Sequence, residues 1–279
     1  MKIIMMISTC NRKEILEKSI SSLKKVKNLE KFEIQIYDDK SSEYNEQYLK
    51  GKIPFAKKIT IRNENLKADK NMYMMYKDFL ETEGDYLLQV DSDMIYNEEF
   101  LSIIQKITKL KEKAVYSLYN STLHDFFENI EEKYIDKIEF GRKRDIGGAC
   151  VLFSREIIEE IINNIKIKKQ DFTSYDYKWS RYLNSRNIPI YVSKISFIQH
   201  LGLGGQNNKK ISTIDLGRGF IPSNKEDGQI LLEYYEKVIF DTKEYCENIG
   251  WLIFIKNKLK KIKIVRMLYI KLKKFKNII

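Results

Sequence analysis

Three short apolar runs in the first 93 residues each stop on hydroxyl or carboxylate side chains, and this pattern restricts the fold more than any other feature. Ile3 to Ile7 runs into Ser8 and Thr9, and Phe32-Glu33-Ile34-Gln35-Ile36-Tyr37 into Asp38 and Asp39. Tyr86-Leu87-Leu88-Gln89-Val90 runs into Asp91-Ser92-Asp93. Runs this short and this apolar read as strands covered on both faces. Helical periods lie between them. Ile15, Ile20 and Leu23 make a stripe behind Asn11, which is expected to cap that helix with Glu14 three residues on. Met72, Met75, Tyr76 and Phe79 point a second helix inward over about 68–80. Phe100, Ile103, Ile104, Ile107 and Leu110 mark a third, which Asn97 is placed to cap. Shorter strands fit Ile59–Ile61 and Ala114–Leu118. This β-α-β-α order predicts an α/β chain with a doubly wound, mostly parallel sheet. Such sheets bind ligands outside the carboxyl ends of their strands, where these acids and hydroxyls fall.

The second half is less regular. Gly147-Gly148 turns into a strand at Ala149–Phe153, Ser154 caps a helix to about Ile165, and Tyr175–Arg186 is helical. Strands are expected at Ile190–Val192 and Ile195–Gln199. A long polar, glycine-containing loop from Leu201 to about Gly228 and a helix over about 229–247 follow. Cys10, Cys150 and Cys246 are odd in number and scattered, which excludes a disulfide framework and suits a reducing compartment. No stretch approaches the ~18 uninterrupted apolar residues of a spanning helix, and the first residues are too short an apolar run for a signal peptide. A cytoplasmic location is expected.

Charge is distributed unevenly. Of 50 basic residues, ten lie in residues 249–279, which hold no acid. The rest of the chain sets 40 basic against 39 acidic residues, a net charge of about +1. In the tail Trp251, Leu252, Ile255, Leu259, Ile262 and Val265 recur at helical spacing among lysines. A basic amphipathic helix of this kind suits an anionic membrane surface. Its apolar stripe is wider than phosphate contact needs, so nucleic acid is not expected.

Asp91 and Asp93, one residue apart just beyond a strand, can both face one hard cation. Mn²⁺ or Mg²⁺ fits such oxygen ligands and neutralises a departing diphosphate. His200, at the end of Ser196-Phe197-Ile198-Gln199-His200, is either a third ligand or a strand-end structural residue. His124, among Tyr119, Phe126 and Phe127, is structural or on the acceptor side.

With these elements in order, Ile4–Leu23 resembles the opening strand and helix of the GT-A-type family 2 (inverting) glycosyltransferases. Thr9-Cys10-Asn11-Arg12 stands at their T-Y-N-R run, and Tyr37-Asp38-Asp39-Lys40-Ser41-Ser42 is similar to their D-D-G-S element. Asn65 and Asn71 fall in their Asn-containing segment, and Val90-Asp91-Ser92-Asp93 in their metal motif. The resemblance covers roughly residues 1–205. Lys40 stands where that family usually has Gly, and Lys67-Ala68 where a Gly often sits.

The resemblance implies a Rossmann-like GT-A domain over 1–228, with a nucleotide-sugar half (1–118) and an irregular acceptor half (119–228), followed by C-terminal helices and the basic tail (229–279). It implies that Thr9, Arg12 and Asp39 contact the base and ribose of the donor. Asn71 lies along the donor, Asp91 near ribose and metal, and Asp93 on the metal. Gly147 and Gly148 either let backbone approach the donor sugar or acceptor, with Gly148 on the donor, or make an ordinary tight turn. Asp176 in Ser174-Tyr175-Asp176 matches the family's general base, although Tyr175 replaces the usual Glu; Asp171 is the other candidate. Trp179 either stacks on an acceptor sugar or belongs to the core. The implied function is metal-dependent inverting transfer from a nucleotide-sugar, of UDP type, to a glycan or lipid-linked acceptor. Bacterial surface polysaccharide or glycoconjugate synthesis is the setting this suits, with the enzyme peripheral on the inner membrane face. The alternatives are a retaining GT-A transferase or sugar nucleotidyltransferase, and a non-catalytic binding protein on a degenerate transferase scaffold. The lack of a Gly-rich G-x-G-x-R loop after the first strand opposes the nucleotidyltransferase.

Overall fold

A computed structural model describes residues 1–127, 133–167, 174–202 and 216–237. Strand β1 (Ile3–Thr9) is central to the half of the sheet that builds the site. Its residues alternate between two apolar layers: Ile3, Met5 and Ile7 face one, Ile4 and Met6 the other. Strand β2 (Glu33–Asp38) and strand β4 (Tyr86–Asp91) flank it, both parallel, and β3 (Lys58–Ile61) extends the β2 side. Parallel pairing covered on both faces accounts for the nearly continuous apolar composition of these strands.

Register decides which side chains share the carboxyl edge of the sheet. Thr9 pairs with Asp38 and Ser8 with Asp91, so the carboxyl ends of three strands lie level. A one-residue slip would turn each of these side chains to the opposite face.

Helix α1 (Lys13–Leu23) and α4 (Phe100–Thr108) cover the first layer with Leu16, Ile20, Leu23, Phe100 and Ile104. The second layer is covered by α3 (Lys67–Leu80), α5 (Arg155–Asn164) and α6 (Tyr175–Ser185). Between β2 and β3 lies α2 (Glu46–Lys52), capped by Asn45, whose Oδ1 accepts from the Tyr48 amide at 2.9 Å. This helix is too short to carry an apolar stripe, so the pattern of the sequence does not announce it.

The remaining strands are β5 (Met94–Tyr96), β6 (Val115–Ser117), β7 (Lys133–Ile135), β8 (Ile138–Arg142), β9 (Cys150–Ser154), β10 (Ile190–Ser193) and β11 (Ile198–His200). Among the described residues the main sheet has the order β3-β2-β1-β4-β9-β6-β10-β8-β7. Strands β9 and β8 run against the rest. This is the expected doubly wound, mostly parallel sheet.

Two reversals bring distant chain to the carboxyl edge. Because β9 is antiparallel to β4, with Val90 opposite Cys150, the segment before β9 arrives beside Asp91, whose amide donates to the Ala149 carbonyl at 3.0 Å. Strands β5 and β11 form a separate antiparallel ribbon in which His200 pairs with Met94. The Leu201 amide donates to the Asp93 carbonyl at 2.7 Å, closing that ribbon over the motif.

The chain divides into Met1–Ile230 and Leu231–Ile279. Of the second unit, 231–237 are described, and they are helical. Asp171, the middle of the expected loop (203–215), the rest of the helix expected to 247 and the basic tail lie outside the described residues. No helix among the described residues is long and apolar enough to cross a membrane.

Two expectations are corrected here. Leu110 lies beyond the end of α4 and is exposed. Asn11 does not cap α1: Arg12 holds the cap position, in the left-handed region with φ 58°.

Candidate active site

The level ends of β1, β2 and β4 form the floor of a cleft of about 220 Å³. Thr9, Arg12, Asp39, Asn71, Asp91, Asp93 and His200 line it, so seven of the residues selected from the sequence meet in one place. Asp91, Asp93 and His200 each offer a ligand atom within 4.8 Å of the others.

The residues before α1 are held in an unusual shape to serve this cleft. Asn11 and Arg12 are both left-handed (φ 54° and 58°), which costs about 1–2 kcal/mol per residue. Asn11 Oδ1 offsets this by accepting from the amides of Ser42 (2.7 Å) and Glu43 (3.3 Å), while its own amide donates to Ser41 Oγ at 2.7 Å. The side chain expected to cap α1 instead ties the β1 end to the β2 end. Arg12 is thereby aimed inward, donating from Nη1 to Asp93 Oδ2 at 2.6 Å and from Nη2 to the Leu201 carbonyl at 2.6 Å.

Asp93 Oδ2 also lies 3.1 Å from His200 Nε2, whereas Asp93 Oδ1 is buried with no hydrogen-bond partner among the described residues. Ser8, at a strand end but with no role implied by the resemblance, donates to Asp91 Oδ1 at 3.2 Å. Burial raises the Asp91 carboxyl, and the Asp93 charge raises it further, against His200 and Ser8. Burial also acts to raise Asp93, but His200 and Arg12 outweigh it and hold that carboxyl below its ordinary range. Two carboxylates at one site thus separate into a readily protonated and a firmly ionised member.

An orphaned buried carboxylate oxygen, a second carboxylate and an imidazole make a donor set that a divalent ion fits, and the nitrogen ligand suits Mn²⁺. Asp91, Asp93 and His200 would hold it, where it would neutralise charge on a leaving diphosphate.

The β2 end of the cleft is organised by backbone capture. Asp39 Oδ1 accepts from the Leu66 amide at 2.7 Å, and its carbonyl accepts from Asn65 Nδ2 at 3.0 Å. Asp38 instead closes its own turn by accepting from the Ser41 amide at 2.9 Å. The Thr9 hydroxyl is paired with Tyr44 Oη. Asn71 Oδ1 accepts from Arg62 Nε at 3.0 Å; Arg62 is held in turn by Asp78 at 2.8 Å and by the Tyr37 ring, 5.2 Å from its guanidinium carbon. Lys40 and Lys67, where the resembling family favours Gly, both have positive φ (60° and 65°). Both lysines bear the strain of a left-handed backbone that glycine would adopt without it.

On the other side, Asp176 Oδ2 accepts from the Gly148 amide at 3.3 Å. This is the first rung of a ladder. Ser180 Oγ accepts from the Ile146 amide at 3.4 Å, and Asn184 Nδ2 donates to the Arg144 carbonyl at 2.5 Å. Four helical residues rise about 6.0 Å and two extended residues about 6.6 Å, so every fourth residue of α6 meets every second residue of 144–148. Asp176 does not line the cleft, but its charge lies near enough to raise the Asp91 carboxyl further. Asp145 lies in the same segment, with Oδ1 buried and unpartnered among the described residues. Burial raises its carboxyl, against the charges of Arg144, Arg181 and His124. His124 thus lies near the 144–148 segment.

Trp179 is a correction. It is fully buried, edge-on to Phe153 with ring centroids 5.2 Å apart, and no acceptor sugar can reach it. Tyr175 is equally buried, against Tyr73 and Tyr76, which explains why an aromatic residue stands where the family has Glu. Gly148, like Asp176, is not among the cleft-lining residues. A Cβ there would come within 2.5 Å of Met72 Cε and 2.7 Å of Gln89 Nε2, so its lack of side chain serves close packing. Gly147, beside it, has only Asp176 Oδ2 at 3.9 Å.

Residues 5–162, more than half of the chain, match the sequence profile described as Glycosyl transferase family 2. No curated protein matches the chain. Among solved structures, that of S. aureus TarS residues 1–349 superposes with a TM-score of 0.54 at 18% identity, over 71% of this chain and 60% of that one. The same TarS fragment in complex with UDP-GlcNAc gives a TM-score of 0.51 at 17% identity, over 71% and 58%. Its complex with UDP gives 0.51 at 18%, over 71% and 60%. The chain thus spans about 60% of the TarS fragment, and at this identity the likeness is one of fold. With the family profile resting on the same strands that carry the cleft, the chain belongs to glycosyl transferase family 2 and is a glycosyltransferase of GT-A fold.

Proposed function

We propose that the chain moves a sugar, with inversion and with the help of a divalent ion, from a UDP-type donor to a hydroxyl of a glycan or lipid-linked acceptor. The observation that carries this reading is the convergence of Asp91, Asp93 and His200 at the level strand ends beside one cleft. The UDP preference is supported by the fold likeness to TarS, which has been crystallised with UDP-GlcNAc and with UDP.

In this reading Asp39 and Thr9 border the base and ribose, and Asn71, fixed by Arg62, borders the donor from α3. Asp176 takes the proton of the acceptor hydroxyl as its oxygen bonds to the anomeric carbon. The anomeric carbon–oxygen bond to the diphosphate breaks with the electrons passing to the leaving group. The Gly148 amide, on Asp176 Oδ2, fixes the carboxylate without removing its charge. The basic amphipathic stretch at 249–279 supports a place at an anionic membrane surface on the cytoplasmic side, where a lipid-linked acceptor is presented. Surface polysaccharide or glycoconjugate assembly is the corresponding setting.

The test is hydrolysis of a panel of nucleotide-sugars by the full chain and by a chain ending at residue 248, with and without anionic vesicles. A UDP-sugar is expected to be cleaved with Mn²⁺ and not with excess chelator, by both chains, and only the full chain should sediment with vesicles. Cleavage that survives chelation would remove the metal from the account, and equal sedimentation would remove the tail.

A further inference from the structure

Arg12 occupies a place that the donor-base role does not explain. Its guanidinium sits on Asp93 Oδ2 at 2.6 Å, beside His200 and not at the Asp39 end of the cleft. Asp93 is only 14% exposed and Arg12 24%, so the pair is poorly screened. An ion held between Asp91, Asp93 and His200 would stand next to this positive charge and compete with it for the same carboxylate. The Lys13 amide at the start of α1 already donates to Glu43 Oε2 at 2.8 Å, so that amide is not open to a phosphate. A guanidinium leaving Asp93 has the donor diphosphate to go to, since its planar fork matches phosphate oxygens.

We propose that Arg12 is an internal counter-ion which neutralises Asp93 until a divalent ion displaces it onto the donor diphosphate, so that metal and nucleoside diphosphate bind cooperatively. By linkage, each ligand then raises the affinity for the other by the same factor. The inference rests on the metal site proposed above.

The experiment is Mn²⁺ binding, read from the electron paramagnetic resonance signal of the free ion, with and without UDP. It compares the full wild-type chain with Arg12→Gln, Arg12→Lys and Asp93→Asn. Wild type is expected to bind Mn²⁺ weakly alone and more tightly with UDP. Arg12→Gln is expected to bind Mn²⁺ alone about tenfold more tightly, the least effect expected from removing a close, partly buried charge, and to gain less from UDP. Arg12→Lys, which keeps the charge, should behave like wild type. Binding by Arg12→Gln no tighter than wild type would overturn the inference. So would equal tightening in Arg12→Lys, because geometry and not charge would then be responsible. Loss of Mn²⁺ binding in Asp93→Asn shows that the site itself stands in either case, whereas unchanged binding there would remove the site and the inference together.

Discussion

Asp93→Asn is expected to lower metal-dependent turnover by about a hundred- to a thousandfold, the scale seen when one preorganised electrostatic contact to a developing charge is lost. Two features of the site make this substitution informative. Asp93 carries the ion pair with Arg12, so its loss removes a contact between the β4 end and α1. It also carries the charge that, after burial, does most to raise the Asp91 carboxyl. With Asn at position 93, Asp91 loses a repulsive neighbour and should titrate lower than in wild type. Carbon-detected titration of Asp91 checks this, and an unchanged titration would mean that the two carboxylates do not interact. In wild type the raised Asp91 must shed its proton to ligate, so Mn²⁺ affinity should increase with pH through the range in which Asp91 ionises.

Asp176→Asn should reduce kcat by about a hundred- to ten-thousandfold, the usual contribution of a positioned general base, while UDP affinity stays within a few-fold. The amide oxygen of Asn can still accept from the Gly148 amide, which keeps the ladder that docks 144–148 on α6. The bond that Asp176 Oδ1 accepts from the Tyr177 amide at 2.7 Å is lost, so the variant should melt slightly below wild type. Asp145→Asn is the control. That carboxylate lies in the same segment but is held up by burial near Arg144, Arg181 and His124. A smaller fall in kcat is expected from it. Transfer by Asp176→Asn within tenfold of wild type would pass the base role to another carboxylate.

Much of the site is legible in the sequence because strand chemistry is periodic and local. An apolar run that ends on acids at a parallel strand terminus can be read residue by residue, and Thr9, Asp39, Asp91 and Asp93 come from that alone. His200 rests on the resemblance to the family, because a strand-end histidine alone reads equally well as structural. What the sequence hides is every feature set by a partner distant along the chain. Asn11 has the composition of a cap, but the amides that donate to its Oδ1 lie about 30 residues away, at 42 and 43. Trp179 has helical spacing that suits core or surface equally, and Phe153 across the layer decides it. Gly148 suggests a backbone approach to ligand, while the approach is to Met72 and Gln89. Lys40 and Lys67 obscure two left-handed positions that glycines would have announced. The Ser180–Asn184 ladder is present as a four-residue spacing after Asp176, but it has meaning only once 144–148 is known to run extended beside α6.

The most direct test of the account is the anomalous difference map of a crystal grown with Mn²⁺ and UDP. The account predicts one strong peak between the Asp91 and Asp93 carboxylates and His200 Nε2, with the diphosphate on it and the base toward Asp39. A nucleotide bound in the cleft with no peak at Asp93, or a peak on carboxylates elsewhere in the chain, would contradict it.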